Sequence, residues 1–170
     1  MKAKKYLIKA VLIAAYVLFH IYLLRPVRTA IFQYQVDEKL VESVQESQYL
    51  SFQKLDTRLA VFEYSEGNSE KLFFYKVPFG SFFFLGMIGL ILIGADKKFF
   101  IVLISAHSVI LISASFVLMV DIVQNLSALH ILDFLSTYLA PLSALGVIPL
   151  SLFYKRNNHV SNVENSLAKG

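Results

Sequence analysis

The chain has 170 residues and a formal net charge of +4, with 56% hydrophobic and only 16% charged residues. A soluble domain usually carries about 25% charged residues, so this composition argues for a membrane protein. The chain contains no cysteine, which excludes disulfides, thiolate nucleophiles and cysteine-ligated zinc or iron–sulfur sites.

Four hydrophobic stretches divide the chain, and each approaches or exceeds the ~20 apolar residues that cross a bilayer as a helix. They predict an α-helical polytopic membrane protein with four transmembrane helices, at residues 6–24, 77–95, 99–120 and 129–154. The first stretch follows a lysine-rich start, and no small-x-small cleavage site follows it, because Arg28 lies two residues before Ala30. It therefore predicts an uncleaved signal anchor.

Basic residues close to span ends mark the cytoplasmic side of a membrane. Here they form three clusters, before span 1, between spans 2 and 3, and after span 4: Lys2, Lys4, Lys5 and Lys9; Lys97 and Lys98; Lys155 and Arg156. Four spans place all three on one side. The prediction is therefore a multi-pass protein with both termini in the cytoplasm, and the compact, disulfide-free chain favours a bacterial inner membrane.

This topology assigns each connecting segment to one side of the membrane. Residues 1–5, the turn 96–98 and a disordered tail 155–170 are expected in the cytoplasm. Residues 25–76 form the extracytoplasmic domain, and residues 121–128 form a short outer loop. The basic isoelectric point of about 9.2 then reflects topology and contact with anionic lipid, and we expect no binding of nucleic acid.

The segment 25–76 predicts a small α+β domain. Pro26 suits a helix end after span 1, and residues 36–47 have the apolar spacing of an amphipathic helix. Residues 49–55, 58–64 and 71–76 read as strands of a β-hairpin or three-stranded meander. The sequence Val77-Pro78-Phe79-Gly80 ends the last strand.

Glycine and proline distinguish the later spans. Span 2 contains Gly80, Gly86, Gly89 and Gly94, which permit close approach of a neighbouring helix. Span 4 contains Pro141 and Pro149 and is expected to be kinked.

His107 is the deepest ionisable residue, nine residues into span 3, and such residues are functional candidates because they are costly in a membrane. Ala114 and Asp121 follow at spacings of seven on the same stripe. The structural interpretation is a neutral imidazole bonded to a backbone carbonyl or to a neighbouring span. The alternatives are a proton-relay or ligand role.

A second polar group is expected at the outer boundary of the membrane. It comprises His20, Asp121, His130 and Asp133. Two histidines and two aspartates can chelate a divalent metal or supply a general acid and base. Anchoring and ion pairs between helices are the simpler interpretation, so we expect no metal and no cofactor, and these residues are the only catalytic candidates.

These features favour a non-enzymatic accessory or assembly subunit of a larger membrane complex. The outer domain would bind other membrane proteins by β-addition and side-chain contact. The residues expected at this contact are Glu38, Glu42, Glu46, Phe62, Tyr64, Phe73 and Tyr75. Two alternatives stay open: an intramembrane enzyme or metal site at the outer histidines and aspartates, and a small oligomeric channel or transporter with the His107 stripe lining its pore.

The four-span layout with one outer domain resembles that of accessory membrane proteins of bacterial envelope systems, including those that accompany sorting enzymes of the exosortase type. This resemblance implies a role beside a protein-sorting system. The sorting enzyme itself is excluded, because that family needs a catalytic cysteine.

Overall fold

The computed structural model describes residues 2–36, 50–55, 58–65, 68–119 and 126–167, and the chain is mostly helical with one small sheet. The helices are α1 (Lys2–Phe19), α2 (Arg25–Gln35), α3 (Ser81–Ile93), α4 (Lys97–Met119), α5 (Leu126–Asp133) and α6 (Ala140–Leu167), and the strands are β1 (Leu50–Leu55), β2 (Arg58–Ser65) and β3 (Asn68–Lys76). Two π-helical segments, π1 (His20–Leu24) and π2 (Phe134–Leu139), join α1 to α2 and α5 to α6.

The first helix does not end at Pro26, contrary to the sequence prediction. It runs through π1 into α2, and the apolar rod Ala3–Gln35 has 33 residues, or about 50 Å at 1.5 Å per residue. A proline removes a backbone donor and crowds the preceding turn, and a local π adjustment accommodates it. Here the Arg25 N–H donates to the His20 carbonyl, five residues back. Pro141 follows π2 in the same way, so the wider turns keep both helices continuous.

The three predicted strands form an antiparallel meander in the order β1-β2-β3. Leu55 pairs with Arg58, and Arg58 pairs in turn with Lys76, with an irregularity between Val61 and Phe62 where β2 meets β3. This confirms the meander. The predicted amphipathic helix lies outside the described residues, apart from Val36, which continues the first helix.

Among the residues that the structure describes, three helices are long and apolar enough to cross a membrane: Ala3–Gln35, Lys97–Leu118 and His130–Asn157. The remaining predicted span is the shorter apolar helix α3, with 13 residues. It is short because the corner after β3 delays its start to Ser81, and Gly94 ends it in the left-handed conformation with φ of 63°. Its length is about 20 Å, against about 30 Å for a bilayer core.

Glycines bring α3 close to α6. A Cβ on Gly86 would lie 3.1 Å from the Ala144 carbonyl oxygen, and a Cβ on Gly89 would lie 2.5 Å from Ile148 Cδ1. The predicted close approach of a neighbouring helix to these glycines is therefore present, and that helix is α6. The bundle core is completed by buried side chains of α1, α3, α4 and α6: Tyr16, Phe83, Leu90, Phe99, Leu103, Ala144 and Val147.

A second core fixes the sheet to the helices. Leu59 and Val61 alternate along β2, and both are fully buried, as expected for a strand with one covered face. They pack with side chains from α2, β3, α4 and α5 and with the residues that directly follow α2 and β3: Phe32, Val36, Tyr75, Val77, Ala114, Leu118 and Leu132.

The last helix also differs from the prediction. Residues 155–170 were expected to be a disordered tail, but α6 continues to Leu167. Adding residues to an existing helix avoids the cost of nucleation, so a polar segment extends it readily. Residues 168–170 lie outside the described chain.

Candidate functional site

A sharp corner turns the chain from β3 into α3. Pro78 lacks an N–H group, and Phe79 has φ of 64°, a conformation that is a genuine outlier for a bulky side chain. The Phe79 ring lies 4.9 Å from the Phe83 ring and 5.6 Å from the His107 ring, measured between centroids. Since strained residues persist only where the surroundings hold them, this packing holds the corner.

Gly80 ends the corner. Because it has no side chain, Arg28 and Lys76 can lie close to its backbone. A Cβ there would lie 3.3 Å from Arg28 Nη2 and 3.3 Å from Lys76 Cε. Arg28 is buried, and its Nη2 donates a long hydrogen bond of 3.5 Å to the Val77 carbonyl. Burial, Arg58 and Arg28 together lower the pKa of Lys76. Arg28, Arg58 and Lys76 therefore form a positive cluster above the corner.

His107 packs against Phe79 in the corner and is 1% exposed. Its Nδ1 is 3.1 Å from the Leu103 carbonyl, so Nδ1 carries the proton in the neutral ring and donates to that carbonyl. The ring also packs on Phe83, at 4.9 Å between centroids. These are the contacts that the structural interpretation of His107 predicts. All of them are made with residues of the same chain.

A cavity of about 160 Å³ separates the corner from π2. Its polar residues are Lys76, Ser81, His107, Ser136 and Thr137, and its walls are mainly Val77, Pro78, Phe79, Phe83, Ala140 and Pro141. The Thr137 hydroxyl donates to Asp133 Oδ1 at 3.1 Å, and the Ser136 hydroxyl donates to the Asp133 carbonyl at 3.4 Å. The π-helical turn before Pro141 thus presents two hydroxyl residues to the cavity, and such turns are frequent at functional sites.

A chain of hydrogen bonds ties the sheet to two helices. The Tyr75 hydroxyl donates to Gln35 Oε1 at 2.6 Å, Gln35 Nε2 donates to Ser115 Oγ at 2.6 Å, and Ser115 Oγ donates to the Leu111 carbonyl at 2.8 Å. Burial raises the pKa of Tyr75, so its hydroxyl stays protonated and can donate. Sequence reasoning missed Gln35 because it lies beyond Pro26, where a helix end was expected.

The predicted outer polar group is only partly described. His20 packs on the Phe84 ring at 4.6 Å between centroids, His130 is exposed, and Asp133 accepts the Thr137 hydroxyl. Asp121 lies outside the described residues. Within the described parts of the chain, no three histidine or acidic side chains are grouped closely enough to hold a metal ion.

The residues predicted to contact a partner differ in their burial, and some of them lie outside the described chain. Tyr75 is fully buried and bonded to Gln35, so its side chain belongs to the interior, and Phe62 is half-buried. Tyr64 and Phe73 lie on β2 and β3. Glu38, Glu42 and Glu46 lie outside the described residues.

The three basic clusters meet at one end of the helix bundle. The Lys9 ammonium donates to the Leu92 carbonyl, and the Lys155 ammonium donates to the Ile93 carbonyl at 3.3 Å. Both cations therefore bind the carboxyl end of α3, where the helix dipole favours positive charge. The Lys98 ammonium lies over the Tyr154 ring, which joins the start of α4 to α6.

Comparisons with protein-family models, with curated proteins and with solved structures found no match for this chain.

Proposed function

We propose that this protein is a non-enzymatic accessory subunit of a larger membrane complex and binds a partner protein through its sheet. In this proposal the chain crosses a bacterial inner membrane four times, with residues 77–95 as the second span. Residues 25–76 then lie outside the cytoplasm and both termini lie within it.

The observation that carries the proposal is the way in which the sheet is held. The buried chain from Tyr75 through Gln35 to Ser115 fixes β3 to the first helix and to α4. Rigid elements present a binding surface with less loss of conformational entropy than flexible ones.

The edge strand β1 supplies the binding surface. Within the part of the chain that is described, β1 pairs with β2 alone. An edge strand offers a row of backbone donors and acceptors to an extended segment of another protein. Gln53, in the middle of β1, is exposed, so a bound strand would pass beside it.

The topology is supported by the meeting of the basic clusters. Lys9, Lys98 and Lys155 come from three separate segments and lie at the same end of the bundle. Positive residues near short loops are retained in the cytoplasm, which places the sheet at the opposite, outer end. The short helix α3 completes its crossing with the corner residues that precede it, and a thinner local bilayer accommodates the rest.

Photo-crosslinking tests the binding surface directly. A photoreactive amino acid at Gln53 should trap one partner protein in intact membranes, because a strand added to β1 lies within reach of that side chain. Mass spectrometry of the crosslinked band identifies the partner, and mild-detergent purification should recover the same protein in a stoichiometric complex.

The matched control carries the photoreactive amino acid at Lys97, which is also exposed but lies at the basic end of the bundle. It should give no crosslink to that partner. A purified protein without a stoichiometric partner, together with no specific crosslink from Gln53, would contradict the proposed function.

A further inference from the structure

The cavity beneath the corner is large enough for a six-membered ring. Its volume is about 160 Å³, and an engineered apolar cavity of roughly 150 Å³ binds benzene. The Phe79 and Phe83 rings, at 4.9 Å from each other in an edge-to-face arrangement, form one wall. Such rings favour an aromatic occupant, because aromatic pairs stabilise each other beyond the effect of buried area.

His107 gives this cavity a specific polar requirement. Its Nδ1 donates to the Leu103 carbonyl, so Nε2 on the other edge of the ring has a lone pair and no proton. Among the described residues, Nε2 has no protein hydrogen-bond partner. A donor on a ligand in the cavity that His107 lines would give this acceptor a hydrogen bond.

Much of the rest of the lining is apolar. Val77, Pro78, Ala140 and Pro141 are apolar, so the body of the ligand is apolar as well. Lys76 is half-buried and belongs to the positive cluster with Arg28 and Arg58. Lys76 therefore places positive charge at the cavity, which disfavours a cationic ligand.

We propose that this cavity binds the hydroxylated ring of a phenol, whose O–H group donates a hydrogen bond to His107 Nε2 while the ring packs against Phe79 and Phe83. The ring can belong to a phenolic compound from the aqueous phase or to a quinol dissolved in the membrane. The site is separate from the β1 edge, so it does not rest on the proposed function.

Binding of two matched probes tests the proposal in the full-length protein in nanodiscs. The probes are 4-fluorophenol and fluorobenzene, which differ only in the hydroxyl group, and binding is followed by ¹⁹F nuclear magnetic resonance. Replacing His107 with leucine should weaken the binding of 4-fluorophenol about three- to ten-fold, the effect of one neutral hydrogen bond. Binding of fluorobenzene should not weaken. All proteins are compared in the same lipid, so partition of the probes into the bilayer is common to every measurement.

Two further variants distinguish the loss of the His107 hydrogen bond from a general loss of the folded structure. His130→Leu changes an exposed histidine and should leave the binding of both probes unchanged. Ala140→Leu fills one wall of the cavity and should abolish the binding of both probes while His107 is retained. Thermal unfolding of each variant checks that the protein is folded.

Equal binding of 4-fluorophenol to the original protein and to a folded His107→Leu variant would overturn the proposal. Failure of both probes to bind the original protein would overturn it as well, and would indicate a cavity that holds water. Where binding is found, organic extraction of the protein purified from membranes distinguishes the sources. A quinol in the extract identifies the membrane as the source, and a water-soluble phenol in the extract identifies the aqueous phase.

Discussion

Gln35 joins three parts of the chain that are far apart in sequence. Its amide accepts a hydrogen bond from Tyr75, 40 residues away, and donates one to Ser115, 80 residues away. The amide oxygen accepts one hydrogen bond while the amide nitrogen donates the other. A hydroxyl or an apolar side chain of similar size could not make both bonds in the same geometry. Because Gln35 is 7% exposed, loss of either partner leaves a buried polar group without its hydrogen bond.

Replacing Tyr75 with phenylalanine should lower the free energy of unfolding by about 1–3 kcal/mol, because Gln35 Oε1 loses its donor. A second substitution, Gln35→Leu, should add less in that background than it costs alone, since both groups belong to one network. Thermal unfolding in mild detergent measures the cycle.

Tyr34→Phe provides the control for the loss of a phenol hydroxyl. Tyr34 lies on the same helix and is 58% exposed, so its substitution should change stability by no more than about 0.5 kcal/mol. Additive effects of Tyr75→Phe and Gln35→Leu would show that the two side chains are not coupled.

At the scale of elements, the glycines of α3 and α6 have opposite surroundings. A Cβ on Gly86 would meet the Ala144 backbone oxygen and the Leu103 side chain at 3.1 and 3.2 Å, whereas Gly146 has no atom within 4 Å. Gly86 is thus constrained by the contact between α3 and α6. Gly146 is exposed and carries only the usual entropic cost of glycine in a helix.

The same substitution should therefore have opposite effects at the two positions. Gly86→Ala should lower the thermal unfolding temperature, because overpacking of a close contact typically costs about 1–3 kcal/mol. Gly146→Ala should leave it unchanged or raise it, since alanine is favoured over glycine in a helix by about 1 kcal/mol. A Gly86→Ala protein as stable as the original would mean that α3 and α6 are not in close contact.

The sequence predicts elements well where one local pattern decides the structure. The β-branched and aromatic residues of 58–64 indicated a strand, and Pro78 with Gly80 indicated the break after β3. Pro26 shows the limit of this reasoning, because a helix can absorb a proline when a π turn precedes it and tertiary contacts hold both sides. Nothing in the local sequence distinguishes this outcome from a helix end.

The candidate site was less predictable than the fold. His107 could be identified because an ionisable residue in an apolar helix is conspicuous, and its backbone contact was one of the expected interpretations. The cavity beside it depends on the positive φ of Phe79 and on the π turn that carries Ser136 and Thr137. Both arise from contacts between distant segments, so hydrophobic periodicity contains no signal for them.

At the scale of the whole molecule, one end carries the basic clusters and the other carries the sheet. Lys9 and Lys155 bind the carboxyl end of α3, while Gln35 and Tyr75 join the first helix to β3. This asymmetry leads to the proposed topology, in which the basic end faces the cytoplasm.

Labelling of single cysteines tests this topology, because the chain has no cysteine of its own. Gln53→Cys should react with a membrane-impermeant maleimide in intact bacterial cells. Lys97→Cys and Arg156→Cys, which are also exposed positions, should react only after the cells are lysed. The reverse pattern, or labelling of all three in intact cells, would contradict the proposed orientation.

The unbroken first helix also has a mechanical consequence. In the proposed topology Lys9 lies near one membrane surface and Gln35 near the other, about 39 Å apart for 26 residues at 1.5 Å each. The helix is continuous between these two contacts, so a sideways force on the sheet should tilt it and strain the Lys9–Leu92 hydrogen bond. In the proposed topology, a pull by a bound protein on one face of the membrane would therefore reach the other face through this helix.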